Sequence, residues 1–182
     1  MFLGLAGEQW RESVRHREIA EASLRRIRAE FRANRAEVQR VTCRHAKELT
    51  GLCEYLNAHP KELLAHIVDP TKPIPTPLPE TVTDSAGFVC SAWDVALATQ
   101  SLAYIDPEPV ASMSSAYRLQ QLYEDAHRAI GQISYSISNP VCWLQGLTTY
   151  FGDAVLWERL LLKRYDEILL RLDKALGDSP AQ

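Results

Sequence analysis

The 182-residue sequence lacks the short signatures that most often carry chemistry. It has no G-x-S-x-G elbow, no P-loop, no G-x-G-x-x-G turn and no H-E-x-x-H pair. That removes the sequence case for a serine hydrolase, a nucleotide cradle and a zincin. The four cysteines, Cys43, Cys53, Cys90 and Cys142, form no C-x-x-C pair and no zinc spacing. Cys43 and Cys53 lie about 15 Å apart along a helix, too far to bond each other. Either can reach Cys90 or Cys142 on a neighbouring helix, and buried free thiols are the default expectation. No stretch alternates like a strand, no hairpin turn signal occurs, and no solenoid-length repeat is visible. The net charge of −3 excludes a chain-wide basic footprint for nucleic acid.

What is present is helix. Glu8 to Asn57 contains no proline and one glycine, Gly51, and reads as one helix roughly 75 Å long at ~1.5 Å per residue. Leu24, Phe31, Val38, His45 and Leu52 recur every seventh residue. Ile27, Asn34, Val41, Glu48 and Tyr55 form the companion row. Alternating spacings of three and four put both rows on one face, the seam of a bundle or coiled coil. Asn34, His45 and Glu48 are the polar members of that seam, where a polar side chain sets register or meets a partner. Before Leu24 the stripe thins, with Arg17 and Ala20 at its positions. Residues 1–23 therefore read as a stalk and 24–178 as the helical domain.

Pro60 ends the first helix, because its ring clashes with the preceding turn. Lys61–Val68 has room for two turns. Five of the ten prolines fall between Pro70 and Pro79, so 69–79 reads as a polyproline-like crossover about 30 Å long at ~3.1 Å per residue. Its P-x-x-P match, Pro70 to Pro73, reads as part of that strut rather than as a peptide ligand. Thr83 or Asp84 is placed to cap a second helix running to Tyr104, rich in alanine. Asp106-Pro107 opens a third, with an apolar stripe of Leu119, Leu122, Ala126, Ile130, Ile133 and Ile137. Asn139-Pro140 breaks it. A fourth, Val141–Leu176, carries Leu144, Leu147, Phe151, Val155, Leu161 or Leu162, Tyr165, Ile168, Leu172 and Leu176. Gly146 and Gly152 are candidate kinks, and Gly177 is a natural C-cap. The expected fold is all-α: a four-helix bundle with a long, overhanging N-terminal helix and a proline-rich crossover.

Candidate chemistry is sparse. Glu124 and His127 form a single E-x-x-H, where a carboxylate-bridged di-metal bundle needs two such motifs and two further inward glutamates, and are the one weak metal candidate. Glu62 and His66 are spaced i, i+4 instead. His45, on the apolar seam, reads as a hydrogen-bonded core histidine. Trp93, Trp143 and Trp157 with six tyrosines either fill the core or line a ligand cavity. Arg25, Arg26, Arg28, Arg32 and Arg35 alternate with Glu21, Glu30 and Glu37, which favours intrahelical ion pairs over phosphate binding. No cofactor and no nucleic-acid partner is expected, and no catalytic residue is assigned.

Residues 8–48 carry eleven Lys/Arg against seven Asp/Glu, and 49–182 carry nine against sixteen. The basic first helix either attracts the acidic remainder or lies near anionic lipid headgroups. Met1–Gly7 is apolar but far short of the ~20 residues a membrane span needs, and it lacks the features of a signal peptide. The following Glu8-Gln9-Trp10-Arg11-Glu12 looks like the interfacial end of a membrane helix, with Trp10, Arg11 and Arg15 at the interface. Trp10, Arg11, Glu12, Leu24, Ile27, Glu30 and Asn34 together resemble a broad set of uncharacterised bacterial single-pass membrane proteins. These have an N-terminal transmembrane helix ending in Trp-Arg-Glu or Trp-Asn-Glu, followed by a helical domain. The resemblance covers about the first 40 residues, with a weaker match at Ser91–Gln100. It implies the inner membrane, with the domain on the periplasmic side. Arg11, Arg15 and Arg17 favour the cytoplasm by the positive-inside rule. The functional expectation is a membrane-tethered interaction or sensing module without chemistry, self-associating through the first helix. The alternatives are a ligand- or metal-binding helical enzyme or carrier, and an all-α subunit of a larger complex.

Overall fold

The computed structural model of the protein describes residues 2–81, 83–134 and 139–177, with the side chains of 2–7 and 130–134 outside that description. The chain is all-α, with no strand among the described residues. The helices are α1 (Phe2–Ala58), α2 (Pro60–Val68), α3 (Ser91–Ala98), α4 (Pro107–Ser134) and α5 (Pro140–Ala175), and a 3-10 turn spans Ser101–Tyr104. Local chemistry accounts for most of these boundaries. Proline opens α2, α4 and α5, where its missing N–H costs nothing. Asn139 Oδ1 accepts from the Val141 and Cys142 N–H groups at 2.9 and 3.2 Å, capping α5. Past its other end Gly177 takes φ +70°, the left-handed cap that glycine adopts without strain. Neither α1 nor α5 is broken at a glycine.

The chain folds into two compact units. The first comprises Met1–Glu37, Gly87–Gln120 and Leu161–Gln182. Its core holds Leu24, Ile27, Phe31, Met113, Ala116, Leu161, Tyr165, Ile168 and Leu172, all buried. Asn34 pairs with Val89 through two bonds: its amide N–H donates to the Val89 carbonyl at 2.8 Å, and its oxygen accepts from the Val89 N–H at 2.9 Å. Glu30 accepts from the Ala92 N–H at 2.7 Å and from the Tyr117 hydroxyl. Arg17 and Arg25 pair with Glu21 along α1, as the sequence pattern favours. Arg28, Arg32 and Arg35 instead cross to Asp173 and Asp166 on α5.

The second unit comprises Val38–Ala86 and Gln121–Leu160. Leu52, Leu144, Leu147, Tyr150 and Phe151 form its core, with Leu49, Tyr55, Leu56 and Trp143 packed against them. The proline-rich stretch has no helix and is tied down by side chains. His66 Nδ1–H donates to the Lys72 carbonyl at 2.6 Å, and the Tyr55 hydroxyl donates to the Pro75 carbonyl. All four cysteines are free.

Three expectations are corrected. No helix among the described residues is long and apolar enough to cross a membrane. The apolar opening of seven residues reaches only about 10 Å of the ~30 Å required. Glu8, Arg11, Glu12, Arg15, Arg17 and Glu18 follow at once. Trp10, Arg11 and Arg15 are exposed on α1, and the inner-membrane placement, periplasmic or cytoplasmic, loses its basis together with the single-pass resemblance. The alanine-rich second helix begins seven residues later than its capping signal at Asp84 and ends at Ala98. Residues 83–90 have no regular secondary structure, because Asn34 occupies both backbone groups of Val89 and Glu30 caps the start of α3 through Ala92. On α4 the buried row is Met113, Ala116, Gln120 and Tyr123, and Leu122 is exposed. The stripe expected from apolarity alone was rotated, because Gln120 is buried on a bond to the Tyr165 hydroxyl at 2.6 Å. Ile130, Ile133 and Ile137 lie outside the described side chains.

Candidate metal centre

The second unit contains a polar group at its heart. The α1 seam buries His45, the α5 stripe buries Glu158 between Val155 and Leu161, and α4 brings in His127 one turn after the buried Tyr123. His45 and Glu158 are both 0% exposed. One ligating atom from each of His45, His127 and Glu158 lies within 4.8 Å of the others, the one such group of three among the described residues.

The hydrogen bonds define which atoms face inward. His45 Nε2 lies 2.9 Å from the Asp84 carbonyl, which can only accept, so Nε2 carries the proton. His45 Nδ1 then faces Glu158 Oε1 at 2.7 Å, and the two share one proton. The Tyr123 hydroxyl donates to the same Oε1 at 2.8 Å. His127 Nδ1–H donates to the Tyr123 carbonyl at 3.0 Å, which turns Nε2 inward as the lone-pair nitrogen. Burial pushes the His127 pKa down and the neighbouring His45 adds to it, outweighing the bond to the Tyr123 carbonyl and the nearby Glu158, which push it up. Burial and Glu158 push the Tyr123 hydroxyl well up, so it stays a protonated donor. Burial, with help from Glu158 and Asp84, takes Tyr150 up to about 12. The Tyr150 and Phe151 rings stand against His45 at 5.9 and 5.2 Å, an apolar lining.

Two polar atoms are buried without a hydrogen-bond partner among the described residues: His127 Nε2 and Glu158 Oε2. A buried orphan costs about 1–3 kcal/mol. Both orphans belong to this one group. The donor set of two imidazoles and a carboxylate is one that zinc and divalent iron accept. Each histidine also donates its other ring N–H to a backbone carbonyl, the outer support that metal-binding histidines ordinarily have. Tetrahedral bonds of about 2.0–2.1 Å require roughly 3.3 Å between donors. The His45–Glu158 pair, at 2.7 Å, is closer than that and must open slightly, and all three donors lie within 4.8 Å of one another. The residues present fit a metal ion.

Glu124, paired with His127 in sequence, is half-buried and outside this group. Asn34 serves the other unit through Val89, and Glu48 is half-buried outside the group. The sequence pattern placed His45 and His127 without joining them, gave Asp84 only as a helix cap and Tyr123 only as one of six tyrosines, and left Glu158 unmarked. One signal for Glu158 was available: the α5 stripe skips from Val155 to Leu161, and the missing position, three residues from each, is a glutamate. Comparison with protein families, with curated proteins and with solved structures finds no match to the chain.

Proposed function

We propose that the protein binds one divalent transition-metal ion through His45 Nδ1, His127 Nε2 and Glu158, and that the ion braces α1, α4 and α5 within the second unit. The observation that carries the reading is the coincidence of the two orphaned buried atoms with the cluster of ligand side chains. The imidazole donors favour zinc, iron or manganese over calcium, which takes 6–8 oxygens. Three protein donors leave one position for a water. In this reading the ion replaces the proton shared by His45 and Glu158, and the unit is a small four-helix bundle of α1, α2, α4 and α5 pinned at its middle.

The test is metal loading of the whole chain. Purified protein dialysed against Zn2+, Fe2+ or Mn2+ is expected to retain about one equivalent of one of them, and Glu158→Gln and His127→Ala to retain little. At a hundredfold excess over Kd the ion contributes about 2.7 kcal/mol, which raises Tm by roughly 5–10 °C for a chain of this length. Retention equal in wild type and both variants refutes the site. A second reading, an interaction module, draws on the exposed Leu156, Trp157 and Leu160 on α5. Light scattering that gives a monomer at all concentrations would remove self-association through that face.

A further inference from the structure

Three walls of the candidate centre are helices and the fourth is a short stretch of coil, Asp84–Ala86. The Asp84 carbonyl accepts from His45 Nε2 at 2.9 Å and from the Tyr150 hydroxyl at 3.3 Å. Ala86, two residues on, is 2% exposed. The Asp84 carboxylate points the other way. Its Oδ2 is gripped by Arg40 at 3.2 Å and Arg44 at 2.7 Å, and its Oδ1 accepts from the Ser85 N–H at 2.9 Å. Arg40 and Arg44 sit one turn apart on α1, and His45 follows directly. Residues 40–45 of α1 therefore tie the ligand and the coil together.

Metal bound here is sealed in, since His45, Glu158 and Tyr123 are wholly buried. One wall must move to admit it. Displacing α1 or α5 uncovers Leu52, Leu144 and Phe151. Displacing Asp84–Ala86 gives up a few hydrogen bonds, one buried alanine and two ion pairs whose arginines are 45% and 43% exposed. Ion pairs so exposed are weak and screened by salt, so they open readily. We infer that Asp84–Ala86 is the cover through which the metal enters and leaves, and that Asp84 is a positioning residue that latches it through Arg40 and Arg44. The inference rests on the metal reading above.

A cover changes entry and exit together. A residue that merely stabilises the bound form changes exit alone. The experiment uses the full chain loaded with Co2+ and measures release into excess chelator and uptake of Co2+ by stopped flow. Asp84→Asn and the double variant Arg40→Gln/Arg44→Gln are expected to raise both rates about tenfold or more while Kd changes much less. Asp84→Glu, which keeps the charge, is expected to restore rates close to wild type. Release from the wild type is expected to quicken with added salt, a measurement that needs no variant. Wild-type rates in both variants together with salt-independent release overturn the cover while leaving the metal site standing. Faster release with unchanged uptake overturns it as well. A wild-type chain that takes up no Co2+, Zn2+, Fe2+ or Mn2+ overturns the metal reading itself, and the cover with it.

Discussion

Replacing Glu158 and His45 together should damage the fold no more than the worse of the two single replacements. Both side chains are fully buried, 2.7 Å apart, with one proton between them. Glu158→Leu strands His45 Nδ1 and removes one bond of the Tyr123 hydroxyl. Breaking one side of a buried pair costs about 3–5 kcal/mol, because the partner stays behind uncompensated. His45→Leu takes the ion-pair partner from Glu158, which keeps only the Tyr123 hydroxyl bond among those described. The double variant His45→Leu/Glu158→Leu leaves no uncompensated charge. It loses the Tyr123 bond, but the Asp84 carbonyl keeps the Tyr150 hydroxyl. The double should therefore cost no more than the worse single change, a coupling of at least about 3 kcal/mol. Urea unfolding of the four proteins in EDTA, followed by circular dichroism and tryptophan fluorescence, measures the cycle without metal. Additive costs would refute the pairing and the proton-sharing argument with it.

Leu52→Ala removes the centre of the second unit's core and should cost about 2–5 kcal/mol, read as a lower urea midpoint at an unchanged slope. Asn34→Leu orphans the N–H and the carbonyl of Val89, at about 1–3 kcal/mol each. Hydrogen exchange at Val89 should accelerate markedly, and unchanged protection there would refute the role given to Asn34. Burial and the bond to Glu30 push the Tyr117 pKa far up in the fold. The unfolded chain releases that proton near pH ~10, so the contribution is complete below pH ~10 and is lost as pH rises beyond it. Stability should fall by up to about 1.4 kcal/mol per pH unit for each such tyrosine, and Tyr117→Phe should remove one share of that slope. A variant with the wild-type alkaline slope would refute this.

The sequence by itself determined the elements. Pro60, Pro107, Asn139-Pro140 and Gly177 mark helix ends through φ restriction, capping and left-handed freedom, all of which act within a few residues. The α1 seam was legible for the same reason: a 3.5-residue period needs no knowledge of the partner, and Leu24 through Leu52 are buried where that period puts them. Tertiary structure decided what local propensity could not. Alanine content argued for helix from Asp84 onward, but Asn34 and Glu30 hold residues 89–92 from 55 to 62 positions away. The polar centre is the extreme case. His45 meets Asp84 across 39 residues and Glu158 across 113, and no spacing rule links positions on different helices. A glutamate inside an apolar stripe is visible in a sequence, but the histidine that faces it becomes visible only when the helices pack.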